Sequence, residues 1–104
     1  MSAPLRLARG ALHLPREVCA HHLGGRETVV LARQGVDLVV LPVHDPAAGG
    51  LLLKVRNAAG DRVVDAVELL RAHGLDEGPE RLHPFRWDAA GGALIVEGVF
   101  AAAP

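Results

Sequence analysis

The chain of 104 residues has no tyrosine, and Phe85, Trp87 and Phe100 are its only aromatic residues. Aromatic platforms that stack the bases of single-stranded nucleic acid are therefore nearly absent, and the core must be aliphatic. Cys19 is the single cysteine, so no intramolecular disulfide can form. Ser2 and Thr28 are the only hydroxyls apart from water, one in a terminal segment that frays and one in a strand-like run. That argues against a Ser-His-Asp triad. No apolar run approaches the roughly 18–20 residues that span a bilayer. The stretch from Met1 to Leu14 is interrupted by Arg6 and Arg9 and lacks a signal-peptide core. A cytoplasmic location with no membrane association is expected. Lysine is scarce too: Lys54 stands alone against the arginines, which together with abundant Ala and Gly suggests a GC-rich bacterial genome.

What is present is a globular balance, 50% apolar and 22% charged. The length fits one domain, residues 1–104, able to bury a core without a metal or disulfide staple. The net charge of -1 gives no global field toward DNA or anionic membrane. Its distribution is uneven. Residues 1–35 carry Arg6, Arg9, Arg16, Arg26 and Arg33 against Glu17 and Glu27, a balance of +3, which leaves -4 for the remainder.

Leu5, Leu7, Leu12 and Leu14 alternate with less apolar residues around Arg9-Gly10, the pattern of a short hairpin. Pro15 suits the first position of a helix. Glu17 sits in its first turn, Val18, Cys19 and Leu23 make an inner stripe, and Gly24 supplies a left-handed C-cap. Two β-branched runs, Thr28–Leu31 and Val36–Leu41, flank Ala32–Gly35 and form a second hairpin that Pro42 ends. Residues 45–50 read as a linker.

The order then repeats. Leu51–Arg56 is read as one strand, Asn57–Gly60 as a turn and Arg62–Val64 as a short strand. Asp65 and Glu68 form a helix-start signal related to the capping box. Gly74 ends the helix, with Leu75 packing back on its last turn. Phe85–Trp87 and Ala93–Val96 close a hairpin across Asp88–Gly92. The expected fold class is α+β, a small mainly-β domain with short helices. It consists of two degenerate ββαββ units, residues 4–43 and 50–99, joined by 44–49.

The first unit resembles the swapped-hairpin DNA-binding fold of AbrB-type transition-state regulators and antitoxins. The likeness rests on Gly10–Val18, Leu23-Gly24 and the hairpin ending Leu38-Val39-Val40-Leu41-Pro42. Two such units in one chain are similar to the MraZ branch, whose members carry tandem copies. Asn57–Val63 is similar to the MraZ Asp-x-x-Gly-Arg signature, with Asn for Asp and Asp61 inserted before the Arg. The family's usual Gly-Asp after the helix is replaced by Gly24-Gly25-Arg26-Glu27, and the chain is shorter than a typical MraZ protein. The resemblance implies a swapped-hairpin-like barrel, symmetric assembly into an oligomer, and arginine contacts to double-stranded DNA. Arg6, Arg9 and Arg16 fall in the segments the family uses. Arg33, on a hairpin tip, is expected to add a phosphate contact. The plainer role for each arginine is to keep the protein soluble and block edge pairing.

Other chemistry has little support. Cys19 and His22 are the only pair within Cys19–His22 spaced to share a helix face as ligands, and C-x-x-C and H-E-x-x-H are absent. Glu17 and apolar neighbours work against a reactive Cys19 thiolate. His44-Asp45 adds two possible ligands in a loop. Gly24-Gly25 and Gly91-Gly92 match no phosphate-cradle pattern. No cofactor, metal or catalytic residue is expected. Two functions remain: a DNA-binding transcriptional regulator or antitoxin-like protein acting as an oligomer, or a non-catalytic module for self-assembly or partner-protein binding.

Overall fold

The computed structural model describes residues 3–45, 49–76 and 78–103. Ser2 and residues 46–48, the centre of the expected linker, lie outside the described residues. Chain order is β1 (Leu5–Ala8), β2 (Ala11–Leu14), α1 (Arg16–His22), β3 (Thr28–Gln34), β4 (Asp37–Pro42), β5 (Leu51–Leu52), β6 (Lys54–Val55), β7 (Arg62–Asp65), α2 (Val67–Ala72), β8 (Arg81–His83), β9 (Phe85–Asp88) and β10 (Ala93–Val96). The result is a mainly-β domain of two antiparallel five-stranded sheets and two short helices. Sheet A has the order β6-β7-β2-β1-β8 and sheet B the order β5-β3-β4-β10-β9.

The two halves of the chain meet in both sheets. In sheet A the second strands of two hairpins pair, β2 with β7, in register Leu12↔Val64. In sheet B, β4 pairs with β10 in register Val40↔Leu94. The helix starts repeat the exchange. Asp61, in the β6–β7 turn, accepts the Arg16 N–H at the head of α1 (2.9 Å). Gly10, in the β1–β2 turn, accepts the Ala66 N–H at the head of α2 (2.7 Å). Each early-half or late-half turn thus satisfies a backbone donor that the other half's short helix leaves unpaired.

Period-two burial decides which face of each sheet turns inward. Leu5, Leu7, Leu12, Leu14 and Val64 from sheet A meet Val29, Leu38, Val40, Leu94 and Val96 from sheet B in one aliphatic core. Cys19, Leu23 and Leu70 bring the helices onto it, and the C-terminal turn adds Val99 and Phe100, both 1% exposed. The helix ends follow the sequence reading closely. Pro15 is the N-cap of α1 rather than its first helical residue, a shift of one position within the ordinary ambiguity of helix ends. Gly24 has φ +60° after α1. Gly74 has φ +78°, and the Leu75 N–H returns to the Leu70 carbonyl (2.9 Å), which is a Schellman closure. At α2 the N-cap is Ala66 rather than Asp65, and Asp65 Oδ1, one position earlier, accepts the Val67 N–H (2.9 Å).

Two expectations are corrected. Leu51–Arg56 is not one strand: β5 belongs to sheet B and β6 to sheet A. Leu53 between them is 1% exposed, and its N–H binds the Glu27 carbonyl (2.7 Å). Burying that side chain requires the chain to cross from one sheet to the other. The second unit also has an extra strand, β8, which pairs with β1 at the edge of sheet A. Pro84 separates it from β9. His83 at its end is buried and donates Nδ1–H to the Glu97 carbonyl (3.1 Å), which ties β8 to the residue after β10. Among the described residues its Nε2 has no partner.

Candidate nucleic-acid interface

The outward face of sheet A mixes cationic and apolar side chains. Register aligns Leu82, Arg6, His13, Val63 and Lys54 across four strand pairings. Arg6 Nη2 donates to His13 Nδ1 at 3.2 Å, so the ring is neutral with its proton on Nε2. Burial, then the Arg6 and Arg56 guanidinium groups, push the His13 pKa below 6.5, with Glu80 opposing.

Beside Arg6 and His13, in the middle of this row, lies a cleft of about 120 Å³, lined among others by Arg6, His13, Arg56, Asp61 and Arg62. Three guanidinium groups and one imidazole therefore surround a space that holds one carboxylate. Arg62 Nη1 is held by the Leu53 carbonyl (2.9 Å). The β6–β7 turn shapes the opposite wall. Asn57 Nδ2 donates to Asp61 Oδ2 (3.0 Å), and the Asp61 N–H returns to Asn57 Oδ1 (3.2 Å). These contacts, the Asn57 amide first and the Arg16 N–H next, hold the Asp61 carboxyl below its ordinary pKa. Arg16 lies over the same turn: a Cβ on Gly60 would come within 3.0 Å of Arg16 Cδ. A weak, partly exposed pair joins Arg6 Nη1 to Glu80 Oε2 (3.9 Å).

The four arginines expected to contact DNA do not form one group. Arg6 lines the cleft, and Arg16 sits beside it on the Asp61 turn. Arg9 is exposed in the β1–β2 turn with φ +52°. The length of β2, about 15 Å, separates it from Arg16. Arg33 belongs to sheet B and is engaged there. Its Nε donates to the Gly35 carbonyl (2.7 Å), its Nη1 to His73 Nδ1 (3.2 Å), and its guanidinium lies 5.2 Å from the Phe100 ring centroid. Sequence reasoning missed Lys54, Arg56 and Arg62. The available signal was the proposed repeat, which sets the β6–β7 hairpin beside β1–β2. The charge tally by halves hid it, because these three cations were averaged with the acidic residues that follow.

The remaining reactive side chains do not converge. Cys19 Sγ points to the Leu14 carbonyl (3.9 Å), and burial raises its pKa. His22 stacks on Trp87, with centroids 5.2 Å apart and planes 19° apart. Among the described residues no group of three or more His, Cys, Asp or Glu is placed to hold a metal ion, and no helix is long and apolar enough to cross a membrane. A larger depression of about 540 Å³ at the end of α2 is lined by Arg71, Gly74, Leu75, Asp76 and Gly78, and combines one cation with one carboxylate. No family model, curated protein or solved structure matches the chain.

Proposed function

We propose that the protein binds double-stranded DNA through the outer face of sheet A and its cleft, as a transcriptional regulator or antitoxin-like protein of swapped-hairpin type that acts as an oligomer. The observation that carries this reading is the gathering of Arg6, Arg56 and Arg62 around one cleft, with Arg16 over the adjoining turn. Like charges held together on a surface are costly unless an anion occupies the space between them. Guanidinium groups suit phosphate oxygens and guanine edges alike. A net charge of -1 is no obstacle, because screening limits the reach of distant carboxylates to about 10 Å, and the carboxylates at the site itself, Asp61 in the cleft and Glu80 beside Arg6, are fewer than its cations. The swapped-hairpin part of the reading is supported by the β2–β7 and β4–β10 pairings and by the two turns that close on each other's helix starts.

The test is fluorescence anisotropy of a labelled duplex at about 50 and 200 mM salt. Binding should weaken steeply with salt, and Arg6→Ala with Arg56→Ala should weaken it about tenfold or more at the lower salt. Absence of binding at high micromolar protein in low salt would overturn the reading. The other function, a non-catalytic module for self-assembly or partner binding, is favoured by a different observation: Val30, Leu51 and Leu52 of sheet B are exposed apolar side chains.

A further inference from the structure

The cleft beside Arg6 and His13 is small, about 120 Å³. That is room for about four water molecules, and well short of the roughly 300 Å³ at which pockets for small organic ligands begin. Its floor is apolar, from Leu5, Leu14 and Pro15, and its walls carry Arg6, Arg56, Arg62 and Asp61. Two of the guanidinium groups are held in place without being neutralised. Arg62 Nη1 is fixed by the Leu53 carbonyl (2.9 Å) and Arg6 Nη2 by the neutral His13 ring (3.2 Å). The contact of Arg6 with Glu80, 3.9 Å long and partly exposed, cancels little of its charge. Arg56 is exposed. The one carboxylate of the lining is turned to its own loop: Asp61 Oδ1 accepts the Arg16 N–H (2.9 Å) and Oδ2 the Asn57 amide (3.0 Å). Three arginines against one carboxylate, with His13 neutral, leave the lining at +2.

We propose that this cleft takes a single dianionic tetrahedral oxyanion, inorganic phosphate or a phosphate monoester group, and that the free dianion displaces duplex DNA from it. Charge and size argue together. A dianion matches the charge of the lining, whereas a backbone phosphodiester carries one negative charge and leaves one positive charge over. Attraction to a fixed set of charges doubles with the charge of the ligand, and an apolar floor under charged walls focuses the field on whatever enters. Guanidinium groups pair with phosphate oxygens through two parallel hydrogen bonds. The His13 ring, which also lines the cleft, keeps Nε2–H as a further donor. A tetrahedral ion has an oxygen for each of the three cations, while a planar carboxylate has two. Because Arg6 and Arg62 are already held, little side-chain freedom is lost when an ion arrives. A sugar and base exceed the cleft and stay outside it, so the phosphate group alone is recognised. This inference deepens the proposed function: the dianion site stands on the cleft alone, and only the displacement of duplex rests on the DNA reading.

The test is a titration of the full chain with inorganic phosphate, without DNA, followed by proton–nitrogen correlation NMR. Chloride holds the ionic strength constant, and a pH of about 7.5 keeps a phosphate group, whose second pKa is about 6, dianionic. Shifts should saturate with a Kd of about 1 mM or below and cluster on Arg6, His13, Arg56, Asp61 and Arg62. Methyl phosphate should bind as well, and the tighter of the two identifies the source, free ion or monoester group. Dimethyl phosphate, a monoanionic diester, should bind about tenfold or more weakly. Arg56→Gln, at an exposed position, should weaken phosphate binding about tenfold, while Arg9→Ala, outside the cleft, should not; the dispersion of the same spectra shows that each variant is folded. A labelled duplex should be released near that phosphate Kd, beyond the effect of chloride at equal ionic strength. Linear shifts without saturation, shifts spread over other arginines, indifference to Arg56→Gln, or a diester bound as well as the dianions would overturn the proposal. Duplex binding that persists at saturating phosphate would overturn the displacement and place the duplex elsewhere. Saturable phosphate binding by a protein that binds no duplex would overturn the proposed function and leave the dianion site standing.

Discussion

The two sheets share one core but present opposite outer faces. Sheet A turns Arg6, His13 and Lys54 outward, the first two lining a cleft with Arg56 and Arg62, whereas sheet B turns out Val39, Ala93 and Ile95 at 7% exposure or less. The alternation that builds a sheet is the same in both. What differs is the residue placed at every second position: charged on β1 and β6, aliphatic on β4 and β10. An apolar residue on the outer face of a sheet stabilises folding only where neighbouring side chains or another surface cover it. A charge there costs little. The contrast divides the molecule into one face bordered by a cluster of cations and one whose aliphatic residues are already covered.

Substitutions on each face sharpen this contrast. The largest effect is expected in the shared core. Leu12→Ala in sheet A and Leu94→Ala in sheet B, both 0% exposed, should each cost about 2–5 kcal/mol in denaturant unfolding. The outer faces should then diverge. Ile95→Ala should behave as a core deletion, costing about 2 kcal/mol or more, while Lys54→Ala on the other sheet should stay within about 0.5 kcal/mol. Equal costs would break the contrast. Arg33→Ala should cost about 1 kcal/mol through loss of the His73 and Phe100 contacts.

The pH dependence should follow the buried histidine that ties β8 to the residue after β10. Burial, the largest cause, lowers the His83 pKa below 6.5, as does Arg81, while the bond to the Glu97 carbonyl opposes them. The unfolded chain therefore takes up a proton that the folded chain refuses. Stability is full above about pH 6.5 and falls as the pH drops below it, levelling only below the folded pKa. His13 and His22, also lowered, act in the same direction. Thermal melts between pH 8 and 5, about the range over which histidine titrates, should show a falling Tm, and His83→Gln should reduce that slope. The smallest effect belongs to Asp61→Asn, which removes one negative charge from the cleft. It should tighten duplex binding modestly while slightly lowering thermal stability, because Arg16 N–H loses a charged acceptor.

The elements were legible in the sequence wherever local signals agree. The leucine alternation of β1 and β2, the glycines after both helices and the β-branched β3–β4 hairpin all follow from short-range rules. The break at Leu53 was not legible, because a run of Leu51-Leu52-Leu53 looks the same in either sheet and only the burial of Leu53 in the shared core, with its N–H on the Glu27 carbonyl, decides it. Of the candidate site, Arg6 and Arg16 were legible from their places on the first hairpin and helix start. Arg56 and Arg62 were not, since their approach to Arg6 depends on β7 pairing with β2, a contact about 50 residues apart in sequence. The engagement of Arg33 was not legible for the same reason: His73 and Phe100, which contact it, are distant in the chain.

The most direct test of the two-faced account compares the salt dependence of duplex binding for the wild type, Arg56→Ala and Arg33→Ala. The account predicts that Arg56→Ala lowers the log–log salt slope by about one while Arg33→Ala leaves it unchanged. A slope unaffected by Arg56→Ala, or lowered equally by Arg33→Ala, would contradict it.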